Sequence, residues 1–272
     1  MLSAKELLDI GAKMLQNVAN PRREAFILLR EWMRKDDSFL VAHDETQVQD
    51  VDGFLEWIKR RAEHTPLEYI TKKVSFYSRE FEIEEGVLVP RPETEILVDK
   101  TVELVREFNA KNVAEIGVGS GVVSIILALL LPNIRIKGSD INEKAVALSR
   151  RNAKKFGVQD RAEFYFSNYL DGFDKPDIIV SNPPYVSTKE NLEKHVLNEP
   201  HSALFGGTCG DEILKSIVLL SLKFGGVPLV CEMGYDQKNC MELFFQENGI
   251  KNYSFYQDLS GLDRGFIIKG QE

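Results

Sequence analysis

Val113-Ala114-Glu115-Ile116-Gly117-Val118-Gly119-Ser120-Gly121 decides the fold. A short β-rich run at 113–116 breaks on three alternating glycines, and an apolar helical stretch, 122–131, begins with no spacer. A strand that turns through glycine straight into a helix opens a βαβ unit. Further β-rich runs follow at 134–136, 164–166, 178–180, 227–230, 253–256 and 266–268. Helical stretches at 94–108, 143–156 and 212–223 separate most of them. Strand–helix alternation predicts an α/β domain with a largely parallel sheet. No helical pattern lies between the last two strands, so they are expected to pair antiparallel. Pro228 cannot donate to a ladder and predicts a strand start or distortion.

Upstream the pattern is helical. Leu7, Leu8, Ile10, Met14, Leu15 and Val18 recur at helical spacing, residues 22–33 carry a second apolar face, and 48–62 a third. Pro21 suits a helix start and Pro66 a stop. A small bundle over residues 1–72 is expected. Val74, Phe76, Phe81 and Ile83 then bracket Ser78-Arg79-Glu80, and Val87-Leu88-Val89 follows, which reads as a pair of strands in a hairpin linker over 73–90. The α/β domain is expected over 91–272.

The chain carries 34 Lys+Arg against 42 Asp+Glu, a net charge of −8, which argues against sequence-independent binding of nucleic acid through phosphate neutralisation. The longest apolar stretch is roughly half of the ~20 residues a membrane span needs. Lys5, Glu6 and Asp9 within a helical pattern leave no sign of a signal peptide. Cys209, Cys231 and Cys240 lack a C-x-x-C pair and suggest no disulfide framework, so a cytoplasmic setting is the default expectation.

Glycines let the backbone approach a ligand closely, and the helix that follows offers free N–H donors. A dinucleotide site places its third glycine three positions after the second; here Gly121 comes two after Gly119, which weakens a nicotinamide reading. The next strand ends at Asp140, 19 residues beyond Gly121, where an acid can accept both hydroxyls of a ribose. The loop holds no Lys or Arg, so a nucleoside cofactor fits better than a free phosphate. A tight turn without ligand is the bland alternative.

The run 178–180 leads into Asn182-Pro183-Pro184-Tyr185 at its carboxyl end, the edge where open α/β sheets bind ligands. This motif suits a planar nitrogen, whose delocalised lone pair attacks poorly. The Asn182 side-chain oxygen and the Pro183 carbonyl can each accept one N–H, fixing the nitrogen and stabilising the charge that develops on it. Two prolines restrict the loop, and Tyr185 offers a wall for a flat group.

Glycine loop, acid and Asn-Pro-Pro-Tyr together resemble the S-adenosylmethionine-dependent amino-group methyltransferases, and more narrowly the peptide-chain-release-factor glutamine N5-methyltransferases. Pro90-Arg91-Pro92-Glu93-Thr94-Glu95, Glu199-Pro200 with Ala203 to Gly207, Glu232-Met233-Gly234-Tyr235-Asp236-Gln237, and Asp258 with Gly261 and Arg264 extend the resemblance over nearly the whole length. It implies a Rossmann-like, seven-stranded methyltransferase domain joined by the hairpin to a bundle that recognises the protein substrate. The implied reaction is methyl transfer from S-adenosyl-L-methionine to the glutamine amide in a release factor's Gly-Gly-Gln tip, by a cytoplasmic monomer without stable nucleic acid or membrane binding. By motif, Gly117, Val118, Gly119, Ser120 and Gly121 hold the amino-acid part of the cofactor, Asp140 its ribose, and Asn168 and Tyr169 flank the adenine. Asn182, Pro183, Pro184 and Tyr185 bind the glutamine; Asn182, Pro183 and Tyr185 carry the catalytic role, and Asn182 also borders the cofactor. The methylated amide is acidic enough to release its proton to water.

Three departures stand out: Glu115 and Asn168 where the family has Asp or another acid, and Cys209 where Asp is expected. Rival readings are methylation of a ribosomal-protein glutamine, an adenine-N6 DNA methyltransferase, which needs base extraction and a phosphate grip, and a binding module that has lost activity. The four histidines, His43, His64, His195 and His201, show no ligand spacing. Lys59-Arg60-Arg61 and Arg150-Arg151 with Lys154-Lys155 read as solvated helix faces, Phe76, Tyr77 and Phe81 as hairpin packing, and the three cysteines as buried small apolar groups.

Overall fold

The computed structural model describes residues 1–270, which divide into two compact units: 1–73 with 192–198, and 74–191 with 199–270. In the first unit a two-residue strand β1 (Leu2–Ser3) precedes α1 (Ala4–Met14), α2 (Pro21–Met33) and α3 (Asp37–Ala42). A second short strand β2 (Gln47–Val48) then leads to α4 (Val51–Ala62) and α5 (Leu67–Thr71). Ser3 and Glu6 cap α1 reciprocally, and Pro21 occupies the first turn of α2, where its missing N–H costs nothing. The third helix starts later than its apolar pattern does, because Val48 pairs with Leu2 and Asp50 caps α4 from a left-handed conformation. Pro66 does more than stop α4, since it opens α5. Leu7, Leu15, Leu28, Leu29, Phe54 and Ile58 form the core.

Arg61 departs from the expected solvated face. Its side chain is largely buried and forks onto both carboxylate oxygens of Glu24, while Nη1 donates to the Thr65 carbonyl at 3.2 Å. A buried cation needs such partners.

The second unit opens, from Val74 on, with a hairpin of β3 (Lys73–Phe76, whose first residue closes the first unit) and β4 (Arg79–Glu82). Phe76 and Phe81 are fully buried, and the Tyr77 hydroxyl donates to Asp99. Val87-Leu88-Val89 joins no ladder and runs as irregular chain. There follow α6 (Thr94–Phe108), β5 (Asn112–Ile116), α7 (Val122–Leu130), β6 (Arg135–Asp140), α8 (Glu143–Lys155), β7 (Ala162–Phe166) and β8 (Ile178–Ser181). A parallel pair, β9 (Val186–Ser187) and β10 (Phe205–Gly207), flanks the short α9 (His201–Leu204). The unit ends with α10 (Glu212–Lys223), β11 (Leu229–Glu232), α11 (Lys238–Glu247), β12 (Tyr253–Gln257) and β13 (Asp263–Ile268).

The central sheet has the order β12-β13-β11-β8-β5-β6-β7. β13 alone runs antiparallel to its neighbours, pairing with β11 and β12. Pro228 lies just outside β11, which begins at Leu229, and its carbonyl still accepts from Ile179. The chain moves outward from β5 through β6 to β7 and then returns to the other side of β5 as β8. The carboxyl ends of β5 and β8 therefore flank the switch point, where such sheets leave a crevice. Among the described residues, no helix is long and apolar enough to cross a membrane.

Candidate active site

Ile116 and Ser181, the last residues of β5 and β8, are register partners, so the glycine loop and Asn182 leave the sheet side by side. The Ser181 hydroxyl donates to the Ile116 carbonyl at 2.8 Å and ties the two strand ends. Gly117, Gly119 and Gly121 all have positive φ (75°, 53° and 82°), a region that costs other L-residues energy. Their reasons differ. A Cβ on Gly121 would lie 2.9 Å from the Ser149 Cβ, so that glycine serves packing against α8. Cβ atoms on Gly117 and Gly119 would meet protein only at 3.9 and 4.0 Å; these two keep a wall of bare backbone.

That wall borders a solvent-open cavity at the carboxyl ends of β5 and β8. Gly117, Gly119, Asp140, Asn168, Tyr169, Asn182, Pro183 and Pro184 all line it. Val118 and Ser120 are buried away from it: Val118 packs against Gly138, and the Ser120 carbonyl accepts from Asn152. Val87, Leu88, Pro200, Ser202 and Ala203 complete the rim, which gives the irregular Val87-Leu88-Val89 segment a place beside the cavity.

Asp140 takes one backbone donor on each oxygen, from Gly119 and Asn142, both at 2.9 Å. The carboxylate retains acceptor capacity toward the cavity beyond these donors. Burial raises its pKa, opposed by these N–H donors. Behind the loop, Glu115 is buried at 3% exposure and gathers the Ser124 N–H at 3.0 Å together with the Ser124 hydroxyl. It thereby satisfies donors in the first turn of α7. Burial pushes its carboxyl up to about 8.

Asn182 donates through Nδ2 to the Thr94 hydroxyl at 3.0 Å. Its Oδ1 takes no donor from the described residues, which leaves that oxygen and the Pro183 carbonyl as acceptors beside the cavity. Tyr185 does not form the expected wall. It packs on the core beneath and donates its hydroxyl to Glu232 Oε1 at 3.2 Å, and burial followed by that carboxylate raises its pKa well above the usual phenol value. The Tyr185 carbonyl accepts from Gln237 Nε2 at 2.9 Å. A Cβ on Gly206 would lie 3.0 Å from the Tyr185 Cα and closer still to the Pro184 and Gly210 carbonyls, so the loop rests directly on glycine backbone.

Thr94, Glu232, Gln237 and Gly206 thus shape the loop, although sequence reasoning gave them no role; each lay within a segment of the family resemblance, which was the available signal. Cys209 is anchored through its backbone. Its backbone N–H donates to Glu212 Oε1 at 3.0 Å, and the neighbouring N–H groups hold the Glu212 carboxyl below its ordinary value. Cys209 is exposed and only Cys231 is buried, so the uniform reading of the cysteines fails.

The sheet order and the cleft are those of a Rossmann-like methyltransferase fold. Solved structures agree at the level of fold: the N-terminal domain of human METTL16 (TM-score 0.51, 12% identity, 69% of this chain and 74% of that one) and a ribosomal protein L11 methylase from Lactobacillus delbrueckii subsp. bulgaricus (0.50, 18%, 70% and 84%). Residues 93–207 match the methyltransferase small domain, and residues 6–71 the PrmC N-terminal domain. The chain belongs to the release factor glutamine methyltransferase family. It is 33% identical over 275 residues to the release factor glutamine methyltransferase of Buchnera aphidicola, covering 98% of this chain and 99% of that one. The corresponding protein of Dictyoglomus turgidum is 37% identical over 74% of each chain. A bifunctional methyltransferase of Rickettsia bellii is 33% identical over 96% of this chain, which spans about half (54%) of its length.

Proposed function

We propose that the protein transfers a methyl group from S-adenosyl-L-methionine to the side-chain amide nitrogen of the glutamine in the Gly-Gly-Gln motif of peptide chain release factors. The observation that carries this reading is the Asn182 amide: Nδ2 is engaged by Thr94, Oδ1 takes no donor from the described residues, and Asn182 and Pro183 both line the cavity. Two acceptors are what an amide –NH₂ requires, since it brings two donors. Family membership supplies the substrate class.

The cavity fits the cofactor. Gly117 and Gly119 offer bare backbone for its amino-acid part, Asp140 keeps acceptor capacity for the ribose hydroxyls, and Asn168 with Tyr169 borders the base position. When bound, S-adenosylmethionine supplies a methyl group on a sulfonium, which leaves as a neutral thioether. Asn182 and Pro183 orient the substrate nitrogen, and their oxygens stabilise the positive charge that grows on it. Bond formation leaves that nitrogen one proton in excess, which passes to water. The N-terminal bundle holds the release factor, and the enzyme works in the cytoplasm as a monomer.

Incubation with labelled S-adenosylmethionine, offering a release factor, its Gly-Gly-Gln→Gly-Gly-Ala variant, ribosomal proteins and DNA in parallel, tests this. Label on the release factor alone, lost in the variant, is expected. Label on a ribosomal protein or on DNA would replace the substrate.

A further inference from the structure

Glu232 is a carboxylate the transfer itself does not use. It ends β11 at 1% exposure, outside the cavity wall, yet it stands directly behind the substrate loop. Its Oε1 accepts the Tyr185 hydroxyl, whereas its Oε2 is buried with no hydrogen-bond partner among the described residues. Unclaimed buried acceptors are rare and costly, so this atom calls for an explanation. The neighbouring hydroxyl is that of Thr94, which holds the Glu232 carboxyl down without being aligned on Oε2 as a hydrogen bond. That same hydroxyl receives Asn182 Nδ2.

A hydroxyl has one proton and must aim it somewhere. An ionised Glu232 can only accept, so it draws the Thr94 proton toward itself. Thr94 can then only accept from Asn182, which fixes Nδ2 inward and Oδ1 toward the cavity. A protonated Glu232 removes that constraint. It can donate to Thr94, whose proton is then free to serve Asn182 Oδ1 with the amide turned over. Nδ2, a donor, would then face the donors of the substrate amide.

We propose that Glu232 is a positioning residue: acting through Thr94, it sets which end of the Asn182 amide meets the substrate, and its ionisation switches the loop on. The proposal rests on the functional reading above and deepens it. Several groups face Glu232. Tyr185 comes from the loop and Glu93 from the segment before α6, Cys231 precedes it on β11, Tyr256 lies on β12, and Arg264 on β13 is held by Asp258. Tyr185, Cys231 and Tyr256 stay neutral at working pH because burial raises all three. Burial likewise lifts Glu232 to about 7, with Thr94, Tyr185 and Arg264 opposing, so its charge changes inside the physiological range.

The test measures kcat and KM against pH for the wild type, Glu232→Gln, Thr94→Val, Thr94→Ser and the Glu232→Gln/Thr94→Val double variant, with cofactor affinity by calorimetry. For the wild type, kcat is expected to rise about tenfold per pH unit below about 7 and then level off. Glu232→Gln should lose at least about tenfold at high pH, show no acid limb and keep its cofactor affinity. Thr94→Val should match it, the double variant should be no worse than either, and Thr94→Ser should recover most of the loss. An intact acid limb in Glu232→Gln, or losses that add, overturns the proposal. In parallel, the ¹⁵N-labelled side-chain amide of Asn182 should titrate with a midpoint near 7, and the titration should vanish in Glu232→Gln and Thr94→Val. This readout needs no turnover. An enzyme that methylates no release factor but shows the titration removes the substrate assignment and keeps the coupling; methylation without titration does the reverse.

Discussion

Replacing Glu115 by Gln tests the electrostatics beneath the glycine loop. Gln has nearly the same shape, and its amide oxygen can accept both Ser124 donors, but it cannot ionise. In the folded protein burial lifts the Glu115 carboxyl from 4.5 to about 8. Between those values the folded state holds a proton that the unfolded chain has lost. The stability linked to that proton is therefore full below about pH 4.5 and drains as pH rises to about 8, at about 1.4 kcal/mol per pH unit. From pH 6 to pH 8 the wild type should lose on the order of 3 kcal/mol through this group, and Glu115→Gln none of it. Asp140 and Glu232 are raised in the same direction but are present in both proteins, so they cancel in the difference. In thermal unfolding the Tm of the Gln variant should gain roughly 5–10 °C on the wild type between pH 6 and pH 8. A gap that stays constant across that range would mean Glu115 is already ionised when folded, and the burial argument would fail.

Removing the acceptor in Asn182→Ala should lower kcat by roughly 10²–10³-fold and leave cofactor affinity little changed, as single-turnover kinetics beside calorimetry would show; unchanged turnover would end the role given to Asn182. Asp140→Asn should weaken cofactor binding roughly 10–100-fold in calorimetry, because one charge-assisted acceptor is lost. Gly206→Ala would force a methyl group into the Pro184 and Gly210 carbonyls; about 1–3 kcal/mol of destabilisation and a disproportionate fall in kcat are expected from unfolding and rate measurements together. Arg61→Ala would strand the largely buried Glu24 and cost the N-terminal unit about 3 kcal/mol, read by circular dichroism during denaturation.

Much of the fold could be read from the chain because its signals are local. The three glycines mark left-handed backbone, and Asp140 and Asn182 stand at strand ends that the hydrophobic runs announce. The antiparallel finish at β12 and β13 followed from the absence of a helix between them. What escaped depends on partners distant in sequence. Arg61 sits in a Lys-Arg-Arg run that looks solvated, and only Glu24, 37 residues away, makes it an internal pin. Val48 fits a helical pattern until Leu2 claims it as a strand partner. Tyr185 follows Pro-Pro, where local sequence suggests a ring free to stack on a ligand, but Glu232 draws its hydroxyl into the core. Thr94 and Glu232 come from elements far apart in the chain, and no spacing rule joins them. The glycine loop was expected to contribute all five residues to a ligand, whereas the cavity is lined by Gly117 and Gly119.

The most direct test is to incubate the protein with S-adenosylmethionine and an unmethylated release factor, then locate any added methyl group by fragment mass spectrometry. A single methyl group is expected on the side-chain amide of the Gly-Gly-Gln glutamine, absent when Asn182→Ala replaces the wild type. A methyl group on any other residue, or none while the cofactor demonstrably binds, would contradict it.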